Sequence, residues 1–134
     1  MNLNVLCERF TNWAEKLTSQ TKVEFHSQYQ IENNSELDAI TALNIYRILQ
    51  EAFHNSIKHA HAKRIALHVT SKNKEISLKL TDDGIGIDDE KKDGNGLINM
   101  KIRAEEIGAF FQIESHKNMG TTVTLIIHEN MPNG

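Results

Sequence analysis

Ile76-Ser77-Leu78-Lys79-Leu80-Thr81-Asp82-Asp83-Gly84-Ile85-Gly86 holds the end of a strand and the start of a loop. Ile76, Leu78 and Leu80 alternate with polar residues, the period-two signature of a strand with one buried face. One further step of that alternation places Asp82 on the inward side, at the edge of a core. Burying a carboxylate without a donor is costly, so Asp82 needs a partner. Two sources stay open: amides of its own loop, the common arrangement for a turn aspartate, or an amino group of a bound ligand. Gly84 and Gly86 stand where a backbone bends tightly or approaches a flat surface, and Gly94-Asn95-Gly96 then opens a helix, whose free amides suit an anion.

Working outward, Ile65, Leu67 and Val69 alternate in the same way, and a Ser71-Lys72-Asn73-Lys74 turn joins them to Ile76 as an antiparallel hairpin. Upstream, helical periodicity runs from Ser35 to about Ala60, with a start signal in Asn34 and Ser35 and with Glu36 and Asp38 in the first turn. Before it, Val23, Phe25, Ser27 and Tyr29 predict a strand, and the stripe Leu3, Leu6, Phe10, Trp13, Leu17 predicts a helix ending near Ser19. Downstream, a helix from about Leu97 to Ile107 stops at Gly108, and Phe111–Ser115 and Thr122–His128 read as strands. The sum is an α+β layer structure, helices on a sheet.

With 134 residues, 39% hydrophobic, one proline and seven glycines, the chain is sized for one domain with one core and no linker. A formal charge of −3 with Lys and Arg scattered among Asp and Glu lacks the footprint of a nucleic-acid binder. No apolar run approaches the roughly 18–20 residues of a membrane span, so no membrane contact by this segment is expected, and the expected compartment is the cytoplasm. Cys7 alone excludes an internal disulfide, and the seven histidines lack structural-zinc spacing. His59 and His61 read as solvated histidines at a helix end.

On the long helix Asn44, Arg47, Glu51, Asn55 and Lys58 fall within an arc of about 80° at 100° per residue, opposite Ile45, Leu49, Ala52, Phe53 and Ala60. Such a face is compatible with plain solvation. It also combines a carboxylate, a neutral amide oxygen suited to Mg²⁺ and an ammonium suited to phosphate. Thr121 shares the inward parity of Val123, Leu125 and Ile127, which by itself is the position of a core threonine.

Four segments, in order, resemble the GHKL ATPase superfamily, and most closely the ATP-binding catalytic domains of sensor histidine kinases of the nitrate-sensor and thermosensor type. Arg47 to Ala60 resembles the asparagine box, with Glu51, Asn55, Lys58 and His59 at matching positions. Asp82, Gly84 and Gly86 match the first glycine box, and Gly94, Gly96 and Leu97 with Asn99, Met100 and Arg103 match the second. Gly120-Thr121-Thr122-Val123 matches the closing glycine-threonine motif. The motif-bearing part spans about 37–128, within one domain of 1–134 that has a helix in 1–20 and a tail at 130–134.

The resemblance implies a two-layer sandwich, a mixed β-sheet covered on one face by helices, with ATP held between the long helix and a mobile lid. It implies that Asp82 receives the adenine amine with Thr121, that Asn55 ligates Mg²⁺, and that Lys58 and His59 touch phosphates. The backbone from Gly84 through Gly86 to Ile87, and from Gly94 through Gly96 to Leu97, would line and close the ATP site. Glu51 takes the catalytic position: in hydrolytic relatives the matching carboxylate activates water, and in kinases it orients the Mg²⁺ or the acceptor histidine.

Two departures matter. The segment Ile87–Asp93 between the glycine boxes is short, and no His-Asp occurs, while His128-Glu129 falls in a predicted strand. The implied phosphoacceptor is therefore a dimerisation helix outside this chain, with a response regulator downstream. Leu3–Leu17 reads either as the tail of that helix pair or as the first helix of the domain. The alternatives are an anti-sigma-factor serine kinase or gyrase-like ATPase sharing the same boxes, and a non-catalytic nucleotide-sensing module.

Overall fold

A computed structural model describes residues 1–32, 34–87 and 95–128. The elements run α1 (Leu3–Thr18), β1 (Glu24–Ile31), α2 (Ala39–Lys58), β2 (Arg64–Lys72), β3 (Glu75–Asp82), α3 (Asn95–Glu106), β4 (Phe110–Ser115) and β5 (Thr121–His128). The five strands form one sheet in the order β1-β2-β3-β5-β4. β1 runs parallel to β2, and every other pairing is antiparallel, so the sheet is mixed as expected.

The alternation read from sequence decides which face is covered. Ile65, Leu67 and Val69 of β2, Ile76, Leu78 and Leu80 of β3, and Val123, Leu125 and Ile127 of β5 are buried beneath the helices. Lys79 and Thr81 point the other way and are exposed. From α2 the same core receives Ile45, Ile48, Leu49, Ala52 and Phe53. Phe53 sits at its aromatic centre, edge-on to Phe10 at 6.0 Å and to Phe25 at 5.5 Å between ring centroids. Truncating a side chain buried that fully costs roughly 3–5 kcal/mol.

α1 packs on α2 and β1. Its buried line is Leu3, Leu6, Cys7, Phe10 and Ala14; Trp13 is partly buried and Leu17 is 37% exposed, so the predicted stripe is rotated at its C-terminal end. α2 begins later than the start signal at Ser35 suggests. Asp38 is its N-cap, accepting the Thr41 N–H at 2.7 Å. The residues before it are held in place by α1: the Leu3 N–H donates to Ser35 O at 2.9 Å, and the Leu37 N–H donates to Met1 O at 2.8 Å. Asn44, counted on the polar face, is 3% exposed and lies in the α2–α3 contact.

Turn chemistry follows the sequence closely. Asn73 and Lys74 both have positive φ, 52° and 65°, the pair of left-handed residues that a two-residue hairpin turn requires. α3 ends in a Schellman motif: Gly108 has φ +64°, its N–H reaches Glu105 O at 3.1 Å, and the Ala109 N–H reaches Ala104 O at 2.9 Å. No helix among the described residues is long and apolar enough to cross a membrane.

Candidate functional site

Asp82 is the last residue of β3 and is 6% exposed. In register it faces Ile65 on one side and Thr121 on the other. Its Oδ2 accepts a 2.5 Å hydrogen bond from Ser56 Oγ, and its Oδ1 accepts the Gly84 N–H at 2.9 Å. The loop amide anticipated from sequence is thus one partner. The other, a serine from the buried face of α2, was not anticipated. Ser56 Oγ also lies 3.1 Å from Ala52 O, but a hydroxyl has one proton, and the charge-assisted bond to the carboxylate is the stronger use of it.

The loop after Asp82 is clamped from three sides. Asp83 N–H donates to Arg64 O at 3.2 Å, while Asp83 Oδ1 accepts the Lys63 N–H at 2.8 Å and the Arg64 N–H at 2.9 Å. The Arg64 and then the Lys63 amide hold the Asp83 carboxyl below the usual carboxylate range. Ile85 N–H donates to Ala60 O at 2.9 Å, and the Asn118 N–H donates to Ile85 O at 2.8 Å. Two glycines permit these approaches: a Cβ on Gly84 would overlap the Ala60 backbone, and Gly86, at φ +84°, would meet His116 O. Gly120, also at φ +84°, lets its backbone pass against the Asp82 carbonyl. Thr121, 8% exposed, bonds Ser115 Oγ through its hydroxyl at 3.0 Å, and Ser115 Oγ accepts the Ile87 N–H at 2.7 Å.

Above Asp82 opens a cavity of about 410 Å³, within the usual range of small-molecule sites. Its apolar walls are Leu80, Ile85, Met100, Ile113 and Val123, and Asp82 and Thr121 stand among them. Glu51, Asn55, Ser56 and His59 line it from α2, Gly86 and Ile87 from the loop, and Gly96 and Leu97 from the start of α3. A Cβ on Gly96 would run into the Glu51 carboxylate, which therefore sits against the first turn of α3, where the helix dipole favours negative charge.

Of the residues singled out in sequence, the cavity gathers Glu51, Asn55, His59, Asp82, Gly86, Ile87, Gly96, Leu97 and Thr121. Lys58 is exposed near the end of α2, off this wall, and Gly84 serves the loop's contact with Ala60. Gly94 lies outside the described residues. Met100, named in the second glycine box, also lines the cavity, whereas sequence reasoning passed over Ser56 and Ile113. A serine four residues after Ala52 on the buried stripe was a usable signal, because a hydroxyl there must find an acceptor.

The donor set suits a nucleotide carrying its own metal. Among the described residues no three His, Cys, Asp or Glu side chains converge on a cation. Mg²⁺ characteristically takes one or two protein ligands and completes its shell with phosphate and water. Asn55, whose side-chain amide has no protein partner among the described residues, lines the cavity wall and is of the residue type that can supply one such ligand.

Residues 41–131 match the family described as histidine kinase-, DNA gyrase B-, and HSP90-like ATPase. The chain is 31% identical over 107 residues to the oxygen sensor histidine kinase NreB of Staphylococcus carnosus, spanning 77% of this chain and 30% of that protein. It is 34% identical over 82 residues to the sensor protein VraS of Staphylococcus saprophyticus, spanning 60% of this chain and 24% of that one. The chain thus covers less than a third of the length of either relative. Among solved structures, a blue-light activated histidine kinase of Erythrobacter litoralis EL346 overlays with a TM-score of 0.79 at 18% identity, covering 96% of this chain and 42% of that one. The catalytic domain of histidine kinase ThkA overlays with a TM-score of 0.73 at 21% identity, covering 96% and 94%.

Proposed function

The chain belongs to the histidine kinase-, DNA gyrase B-, and HSP90-like ATPase family, and from that premise we propose that it binds Mg-ATP and passes the γ-phosphoryl group to a histidine on a dimerisation helix outside its 134 residues. The observation that carries this reading is Asp82: a carboxylate 6% exposed, set by Ser56 and Gly84, at the foot of an apolar cavity. A flat base with one exocyclic amine fits between those walls, and Asp82 retains lone pairs to accept from it. Thr121 supports the same end.

Asn55 holds the metal, and the amides at Gly96 and Leu97 receive phosphate oxygens at the start of α3. Mg²⁺, when bound, neutralises phosphate charge and aligns the transferred group. Glu51, leaning on the first turn of α3, orients the metal or the incoming histidine. His59 stands at the phosphate end, and Lys58 adds charge from outside the wall. The chain's contribution is positioning and charge stabilisation rather than a covalent step. Such a protein works in two-component signalling, hands its phosphoryl group on to a response regulator, and keeps this domain in the cytoplasm.

Labelled ATP tests the reading. The chain alone should bind Mg-ATP, hydrolyse it slowly and remain unlabelled; a partner carrying the acceptor helices should acquire acid-labile phosphate. Acid-stable label on a partner serine, or acid-labile label on this chain alone, defeats the assignment.

A further inference from the structure

Glu51 and Met100 are shared between the cavity and a second, polar notch of about 310 Å³ enclosed by α1, α2 and α3. Arg47 and Arg103 stand in it, with Trp13 and His54. The two rings pack edge to face at 5.3 Å, and Trp13 packs against Phe53 at 5.4 Å, so one side of the notch is aromatic. Arg103 is aimed from behind: Asn44, 3% exposed, accepts from its Nη1 at 3.3 Å and is itself fixed by donating to Glu106 Oε2 at 3.1 Å. Arg47 Nη1 reaches Gln50 Oε1 at 3.5 Å. Both contacts are long and go to neutral amide oxygens, although each guanidinium carries five donors suited to a planar anion.

Neither guanidinium has a carboxylate partner among the described residues. Glu51, the acid on the notch wall, is turned toward Gly96. Two arginines on the wall of one depression, paired with no acid among the described residues, are matched by a carboxylate from a docked segment. A nucleotide phosphate is the poorer match, because the α3 amides at Gly96 and Leu97 serve it from the cavity side. Resting on the phosphotransfer reading above, we propose that the Arg47–Arg103 notch seats an acidic side chain of the protein segment that brings the phosphoryl acceptor to Glu51. The notch and the cavity share Glu51 and Met100, so a segment docked in one adjoins the other. The notch then fixes where the acceptor lands.

The test uses the whole chain, with hexaglutamate as the acidic probe and hexaglutamine and inorganic phosphate as controls. Side-chain NMR signals of Arg47 and Arg103 should move saturably with hexaglutamate and stay put with hexaglutamine. Arg47→Gln and Arg103→Gln, the latter able to keep a bond to Asn44, should each weaken hexaglutamate binding at least fivefold while the Mg-ATP Kd stays within twofold. Absence of saturable movement overturns the proposal. So does a response to phosphate alone with a tenfold loss of Mg-ATP affinity in the arginine variants, which would make the notch a phosphate subsite. The peptide arm is read without nucleotide, so failure of the unaltered chain to bind ATP defeats the proposed function separately.

Discussion

Asp82→Asn separates the carboxylate's structural partners from the ligand it is proposed to hold. The substitution is isosteric and leaves no cavity. The new amide oxygen can keep the Gly84 N–H now at 2.9 Å, and its NH₂ can turn to Ser56 Oγ, whose own proton has Ala52 O as an acceptor at 3.1 Å. Every buried polar atom keeps a partner, so the loss of stability should stay near about 1 kcal/mol, the difference between a charge-assisted and a neutral hydrogen bond. A bound adenine is affected more. Its amine would face an amide already committed to both neighbours, and forfeiting a hydrogen bond to a charged acceptor costs about 1.5–3 kcal/mol, or about 10- to 150-fold in Kd. Calorimetric titration with Mg-ATP, alongside urea unfolding of both proteins, measures the two effects independently. An unchanged Kd in a variant that folds normally removes Asp82 from the site. A loss of affinity matched by several kcal/mol of lost stability would mean that the carboxylate's role is to hold the loop.

Asn55→Ala should abolish the Mg²⁺ dependence of nucleotide affinity while preserving adenosine binding; equal losses for adenosine and Mg-ATP would trace the effect to α2 itself. Gly120→Ala puts a Cβ onto the Asp82 carbonyl at φ +84° and should cost at least about 2 kcal/mol in urea unfolding; a wild-type midpoint would refute the close approach. Asp38 is held low by the Thr41 amide, and Asp83 by the Arg64 and Lys63 amides, both below the ordinary 3.8. A depressed folded pKa gives stability that is present above the unfolded value and lost as pH falls through the folded one. Unfolding free energy should therefore be insensitive to these two groups from neutrality to about pH 5 and decline below pH 3.8; the Asp38→Asn, Asp83→Asn double variant should show a shallower decline, and an identical acid profile would discount both.

Period and punctuation alone determined much of this molecule. The alternation of Ile65 to Val69 and of Ile76 to Leu80 named the buried face of the hairpin, and one further step named Asp82 as inward. Gly108 marked the end of α3, and the ordered boxes from Arg47 to Thr121 named most of the cavity wall. These are properties of neighbours along the chain, which backbone geometry translates directly into faces and ends. Tertiary contact decided the rest. Ser56 and Asp82, 26 residues apart, meet because α2 crosses the end of β3. The start of α2 moved from Ser35 to Asp38 because Leu3 and Met1 pin the intervening backbone. Asn44 left the polar face because α3 covers it, and Arg47 and Arg103, 56 positions apart, came to share one notch. Which helix lies over which strand depends on how side chains from distant segments fill a common volume, and no local pattern contains that.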